Sequence, residues 1–575
     1  GASLSLGSFG NHPLVWLRSY TRAATPSFCR TRVCKRSYSN NSARNKILGE
    51  ELLSAYRQVS GCNDKALLNL AFQSAESPKP HSAEIFANTE LNLSDIDVIG
   101  FDYDYTLVSY TSMLQDFLYN QARMHMVTQM YYPEGLLHYS KFDKKFAIRG
   151  LVFDKEKGLL FKLDANNRIA KESVFFGRQR LTEGEIIKEF GSRHLSHNYV
   201  ANNLKKIPDQ FTLAEACLLS DSCQYFIENN IPFHPGAVTE DVNMAIRYVH
   251  KSQTMHKEVM SNLNKYYHPT PYLADMLQQF RRTKKTFLMS NSSFEYINTG
   301  LSHLIGPKWM DLFDVVVASS QKPYFFTGKS LFRKLDVQGK HNNLTYQSKW
   351  NNVTEFEPGS AYIKGNIQHF LKFTKWEGGN VLYIGDHLSA DLVEPARSNG
   401  WYTGAVIREL ENEIKKQGTK EYQVLTIRLQ LIEELMRRLQ WAKWDDEYQP
   451  KGRSRMNDIL CELEADRYQL QKKMNAILNP NFGSVFSADN GGATSFASNV
   501  QEDVDIYTSR LENFNEYQDD YRFIPRRKGL PHEPRQRIGL VTDLLKSALQ
   551  EKAIESSDIG LRKEEDVLLS EISFK

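Results

Sequence analysis

Five short stretches of the chain are apolar at nearly every position: Asp97-Val98-Ile99-Gly100-Phe101, Thr286-Phe287-Leu288-Met289, Phe313-Asp314-Val315-Val316-Val317, Val381-Leu382-Tyr383-Ile384 and Gly404-Ala405-Val406-Ile407. Such continuity is what a strand buried on both faces of a sheet requires. Helix-length amphipathic segments separate most of them, so the pattern predicts an α/β fold built on a doubly wound parallel sheet. The first two strands are separated by residues 117–264, too many for a loop. That insertion is expected to form a domain of its own, with a hairpin around Lys155-Glu156-Lys157-Gly158 and helices over Leu213–Glu228 and Glu240–Tyr266. Beyond the last strand, Leu425, Leu429, Ile432, Met436 and Leu439 step by four and three. Leu460, Leu463, Leu470, Met474 and Ile477 continue the stripe after Pro450 and Gly452, which predicts two antiparallel helices packed on the core or on another subunit.

The expected organisation is a leader over 1–45, a helical segment over 46–90 and a sheet-bearing core over 91–116 and 265–410. The inserted domain spans 117–264, a helical hairpin with its extension spans 411–530, and a charged tail spans 531–575. Residues 480–500, rich in Asn, Gly and Ser, read as a loop or linker.

Charge and composition narrow the field only slightly. The formal net charge of +4 over 575 residues gives no reason to expect a nucleic-acid partner. No apolar run approaches the ~20 residues that a membrane span needs. The cysteines Cys29, Cys34, Cys62, Cys217, Cys223 and Cys461 are scattered, in neither a zinc quartet nor a disulfide framework. The start of the chain is different in kind, with no Asp or Glu before Glu50 and many Arg and Ser. That is the composition of a mitochondrial transit peptide, or of a solvated basic arm on a cytoplasmic protein.

Four polar signatures follow four of the apolar runs. They are Asp102-Tyr103-Asp104-Tyr105-Thr106, Ser290-Asn291, Lys322-Pro323, and Gly385-Asp386 with Asp391 five residues on. Each alone is ordinary. Together they place four carboxylates at the carboxyl edge of one sheet, where open α/β folds bind ligands. Such a cluster repels itself unless a cation or a proton sits in it. The set suits phosphoryl transfer through an aspartyl-phosphate. Asp102 would be the nucleophile and Asp104 the general acid and base. Ser290 and the Asn291 main chain would hold phosphoryl oxygens, and Lys322 would neutralise charge. Asp102, the Asp104 carbonyl and Asp386 would hold Mg²⁺, with Asp391 behind them. P-loop, dinucleotide-fingerprint and HExxH motifs are absent.

With these motifs the sequence resembles the haloacid dehalogenase superfamily, and within it the cytosolic purine 5′-nucleotidases and 5′-nucleotidase domain-containing proteins. The closer likeness is carried by Gly100 to Leu107, Lys322-Pro323-Tyr324-Phe325-Phe326, Leu382 to His387, Gly400-Trp401 and Phe482-Gly483-Ser484-Val485-Phe486, over roughly Leu91 to Pro531. The resemblance implies a Mg²⁺-dependent hydrolase of nucleoside monophosphates, often oligomeric, whose cap sets specificity. It puts Phe211 where purine-specific members stack a ring and His250 on their base-recognising helix. Asn243 and Arg247 stand where those members carry Arg and Asp, which leaves open a phosphatase of another small ester, while the heptad hairpin and long tail leave open a weakly active scaffold that keeps the fold.

Overall fold

The computed structural model describes residues 81–338, 345–376, 378–443, 450–489 and 491–526. The leader, the helix expected over Lys46–Gln73 and the tail beyond Pro531 lie outside the described residues. Among those described, a ten-stranded sheet organises the chain. Its strands are β1 (Phe86–Ala87), β2 (Val98–Phe101), β3 (Lys285–Met289), β4 (Val315–Ala318), β5 (Phe332–Gln338), β6 (Thr345–Ser348), β7 (Ala361–Lys364), β8 (Val381–Gly385), β9 (Tyr402–Val406) and β10 (Ile506–Thr508). They lie in the order β1-β10-β9-β8-β2-β3-β4-β7-β5-β6. From β10 to β7 every pairing is parallel, and the outer pairings are antiparallel.

The all-apolar runs mark the middle of this sheet because both of its faces are covered. On one face Phe287, Val317, Tyr383 and Trp401 pack together with Phe325 and Phe370. On the other, Ile99, Phe101, Leu288 and Leu382 join the large core shared with the insertion. β2 lies centrally between β8 and β3, with Ile384 level with Phe101 and Phe101 level with Leu288. This register brings the carboxyl ends of three strands side by side.

The insertion contributes helices α1 (Ser112–Gln129), α2 (Thr212–Glu228), α3 (Pro235–Lys251) and α4 (Thr254–Ser261). It also holds a five-stranded antiparallel sheet that includes the hairpin Leu151–Asp154 and Leu159–Lys162. After the insertion come α5 (Phe294–Leu304), α6 (Glu409–Gln417), α7 (Lys420–Lys443), α8 (Pro450–Leu478) and α9 (Ser495–Asp503).

Three expectations need correction. The α7 stripe that is buried is Val424, Ile427, Leu431, Ile432, Leu435 and Leu439, whereas Leu425, Leu429 and Met436 are half-exposed at its margin. α7 and α8 do pack together as the pattern predicts, and only the stripe that α7 buries is offset from the expected one. Residues 480–500 are not a linker: Phe482, Ser484 and Val485 are buried, and α9 runs through the segment. The buried Lys162 ammonium donates to the Phe482 and Ser484 carbonyls at 2.8 Å each, tying this stretch to the insertion. Lastly, β7 and β10 are parallel strands of the main sheet that the five apolar runs did not include.

Candidate active site

Four chain reversals at the carboxyl edge of the sheet build the site. β2 ends at Phe101 with Asp102 next, and β3 ends at Met289 with Ser290 next, followed by Ser293, whose hydroxyl caps α5 by accepting from Tyr296 N. β4 leads into Lys322, and β8 ends at Gly385 with Asp386 next. Glycine is required at 385, because a Cβ there would stand 2.6 Å from Asp391 Cβ.

Lys322 lies at the centre, fully enclosed. Its ammonium meets Asp102 Oδ1 at 2.9 Å, Asp391 Oδ1 at 2.7 Å, the Met289 carbonyl at 2.9 Å and the Tyr383 hydroxyl at 2.8 Å. Burial opposes its charge, but Asp102 and Asp391 outweigh burial and hold it well above the usual lysine range. Asp391 is fixed from its other oxygen by His387 N at 3.1 Å.

The carboxylates of Asp102, Asp386 and Asp391 offer oxygens within 4.8 Å of one another, all buried. The Lys322 ammonium, with an Arg149 guanidinium that is already paired with Glu409, cannot balance three carboxylates. Burial first, with Asp391 and Asp104 beside it, pushes Asp102 up to about 7 although Lys322 pulls the other way. Burial and Asp391 push Asp386 well above the carboxylate range. With Asp391 engaged by Lys322, an oxygen-rich, over-negative gap is left between Asp102 and Asp386. That donor set fits a divalent cation of the Mg²⁺ type.

Ser290 is fully buried, and its hydroxyl accepts from Ser292 N at 3.2 Å. The Asn291 side chain bridges two loops, accepting from Lys322 N at 2.6 Å and donating to the Lys322 carbonyl at 3.0 Å. Asp104 accepts from Tyr110 on Oδ1 at 2.5 Å and from Ser292 on Oδ2 at 2.6 Å.

The cap closes over this floor with aromatic rings. Phe211, at the start of α2, lies edge-on to Tyr105 at 4.8 Å and to His250 at 5.7 Å. Burial, reinforced by His256, pulls His250 down to about 4, so its ring is neutral near pH 7. The structure therefore brings Phe211 and His250 together above Asp104's partners. Asn243 instead accepts from Lys205 at 3.3 Å, and Arg247 is exposed.

A model of the 5′ nucleotidase family matches residues 85–535. The chain belongs to the 5′ nucleotidase family. It is 37% identical over 458 residues to a 5′-nucleotidase domain-containing protein of Dictyostelium discoideum, covering 78% of this chain and 75% of that one. It is 34% identical over 460 residues to 5′-nucleotidase domain-containing protein 2 of Homo sapiens, covering 78% and 85%. The match to its counterpart from Rattus norvegicus is also 34% over 460 residues, covering 78% and 80%. Among solved structures, a putative HAD-hydrolase of Bacillus subtilis, described as bound to magnesium, aligns over 54% of this chain and 86% of that one at TM-score 0.20 and 10% identity. As a member of the 5′ nucleotidase family, the protein is a phosphoric monoester hydrolase.

Four neighbours of the motifs escaped the sequence. Tyr383 holds Lys322 while donating to the Met289 carbonyl at 3.0 Å. Arg149, buried at the base of the cap, pairs with Glu409 at 2.5 Å and donates to the Asp386 carbonyl at 3.2 Å. Tyr110 carries no motif, and its distance from Asp104 depends on how the chain turns after Leu107. His256, on α4, stands edge-on to Tyr296 at 4.7 Å; burial pulls its imidazole below the usual histidine range, and the Asp104 charge only partly opposes that. A buried tyrosine inside the strand run 381–384, which must satisfy its hydroxyl, was the one available signal.

Proposed function

We propose that this member of the family removes phosphate from a nucleoside monophosphate through an aspartyl-phosphate on Asp102, with Mg²⁺ as cofactor. The observation that carries the reading is the buried group of three carboxylates, two of them on Lys322, beneath cap residues Phe211 and His250 that pack on Tyr105.

The Asp102 carboxylate attacks phosphorus from its place at the end of β2. Lys322 stays charged beside it and offsets the charge that builds on the phosphoryl group. The Ser290 hydroxyl and the main chain after it are placed to bind phosphoryl oxygens. Asp104 protonates the departing oxygen and later takes the proton of the hydrolytic water. A cation bound by Asp102, the Asp104 carbonyl and Asp386 supplies the charge neutralisation that lets an anionic carboxylate meet an anionic phosphate. Phe211 and the neutral His250 form the surface against which a base can stack.

Phosphate release from nucleoside monophosphates and sugar phosphates, with Mg²⁺ and with chelator, tests this in the wild type and Asp102→Asn. A Mg²⁺-dependent preference for nucleotides that the substitution abolishes is expected; release no greater than the variant's on every ester overturns the reading. Capture of Asn243 by Lys205 favours a second reading, another small phosphate ester, and a preference for sugar phosphates in the same panel would establish it. We also propose that the basic leader directs mitochondrial import. A fluorescent fusion whose distribution is unchanged when the leader arginines become glutamates refutes that.

A further inference from the structure

Asp104 does not end its own hydrogen-bond chain. Behind it lie four tyrosines, Tyr103, Tyr110, Tyr267 and Tyr296, none more than 6% exposed. Tyr110 donates to Asp104 Oδ1 at 2.5 Å, and the Tyr110 and Tyr296 hydroxyls are 3.0 Å apart. A phenol carries one hydrogen, and that of Tyr110 is spent on the carboxylate. The Tyr110–Tyr296 bond is therefore donated by Tyr296. Tyr103 and Tyr267 form a second hydroxyl pair at 2.8 Å in the same cluster. Tyr267 packs edge-on to Tyr110 at 5.3 Å, and Tyr103 edge-on to Tyr296 at 5.8 Å. α5 makes room for this pair with a glycine, since a Cβ on Gly300 would stand 1.9 Å from the Tyr103 hydroxyl and 2.7 Å from that of Tyr267.

The two oxygens of Asp104 are thus unlike. Oδ1 faces a donor that cannot reverse without turning the tyrosine behind it, and that tyrosine is buried. Oδ2 faces the Ser292 hydroxyl at 2.6 Å, which turns about its C–O bond to donate or accept. Hydrogen bonds aligned in one direction reinforce one another.

We propose that Tyr110, backed by Tyr296, is a positioning residue that keeps Asp104 Oδ1 an acceptor and leaves Oδ2 as the oxygen that gives up and regains the proton. The proposal rests on the aspartyl-phosphate reading above. In the first step the Asp102 carboxylate attacks phosphorus, the bond from phosphorus to the ester oxygen breaks, and the proton on Oδ2 passes to that oxygen. The products are the aspartyl-phosphate and the free alcohol. In the second step water loses a proton to Oδ2 and attacks phosphorus, releasing phosphate and restoring Asp102.

The test compares β-glycerophosphate, whose alkoxide needs a proton to leave, with p-nitrophenyl phosphate, whose aryl oxide leaves without one. kcat/KM reports the leaving-group step for both esters. Tyr110→Phe is expected to lower kcat/KM ~10–100-fold on the alkyl ester and less than ~3-fold on the aryl ester, mainly through kcat, because the help it withdraws is part of general acid catalysis. Tyr296→Phe, which does not touch Asp104, should show a smaller loss with the same contrast, and thermal melts show whether either variant is folded. Equal losses on both esters, or none, overturn the positioning role while the hydrolase stands. Wild-type release from the aryl ester alone leaves no working proton donor to position and overturns it too. Wild-type release no greater than that of Asp102→Asn on either ester overturns the phosphohydrolase reading itself.

Discussion

At the scale of single residues the site is a problem in charge. Asp102 and Asp391 share the Lys322 ammonium, the one cation near Asp386 is an Arg149 guanidinium already paired with Glu409, and burial drives Asp102 and Asp386 towards protonation. A cation relieves this strain only in the folded state, so it should raise stability by mass action, ~2.7 kcal/mol at a hundredfold excess over its Kd. We expect Mg²⁺ to raise the Tm of the wild type and to leave that of Asp386→Asn nearly unmoved; equal shifts would remove Asp386 from the ligand set. Gly385→Ala should push Asp391 from Lys322, costing ~1–3 kcal/mol by overpacking and at least ~10-fold in kcat, read by melts and kinetics together. Asp102, Ser290, Lys322 and Asp386 were legible because each follows an apolar run whose end is visible in the sequence. Tyr383, Tyr110, His256 and Arg149 were not, because their roles depend on strand register and on where the insertion packs.

At the scale of elements, local pattern succeeded where an element is buried on both sides. β2, β3, β4, β8 and β9 announce themselves by continuous apolar residues. β7 (Ala361–Lys364) and β10 (Ile506–Thr508) hold only two or three apolar residues before a polar one, too short a run to stand out, and only their neighbours make them strands. The 480–500 stretch misled for a related reason: its Asn, Gly and Ser serve buried turns. Asn479 Oδ1 accepts from Asn481 N and Phe482 N, and Ser484 Oγ from Phe486 N and Ser487 N, each at 2.9 Å. Lys162 reads out this junction. Burial pulls its ammonium down to about 8, below the 10.5 of an exposed lysine. Between those values the unfolded chain binds more protons than the folded one, so this group adds stability as pH rises, up to ~3 kcal/mol. Lys162→Met should be less stable at pH 7, having left two buried carbonyls unpaired. It should also lack the wild type's relative gain between about pH 8 and 10, as denaturant melts across that range would show. Parallel curves for the two proteins would contradict the assignment.

At the scale of the molecule, the cap is wired to the core beside the chemistry. Arg149 joins the cap to Glu409 on α6 and to the carbonyl of Asp386, while Gln210, next to Phe211, donates to Glu409 at 2.5 Å. Arg149→Met would leave Glu409 with less than its pairing, at a cost of ~3 kcal/mol. Because the same side chain steadies Asp386, Mg²⁺ affinity measured by titration calorimetry should fall with it. Destabilisation with unchanged Mg²⁺ affinity would separate the two roles.

β1 and β10, drawn from near the two ends of the described chain, are neighbours in the sheet, and Lys162 waits for carbonyls contributed by residues 482 and 484. A chain still on the ribosome at residue 478 therefore has a cap whose buried cation lacks its acceptors and a sheet two strands short, since β1 joins it only through β10. Completion is held back until nearly the whole fold has been synthesised, because closing contacts across hundreds of residues comes last and slowly. Until β10 emerges, a nascent chain carries an unpaired sheet edge of the kind that chaperones cover.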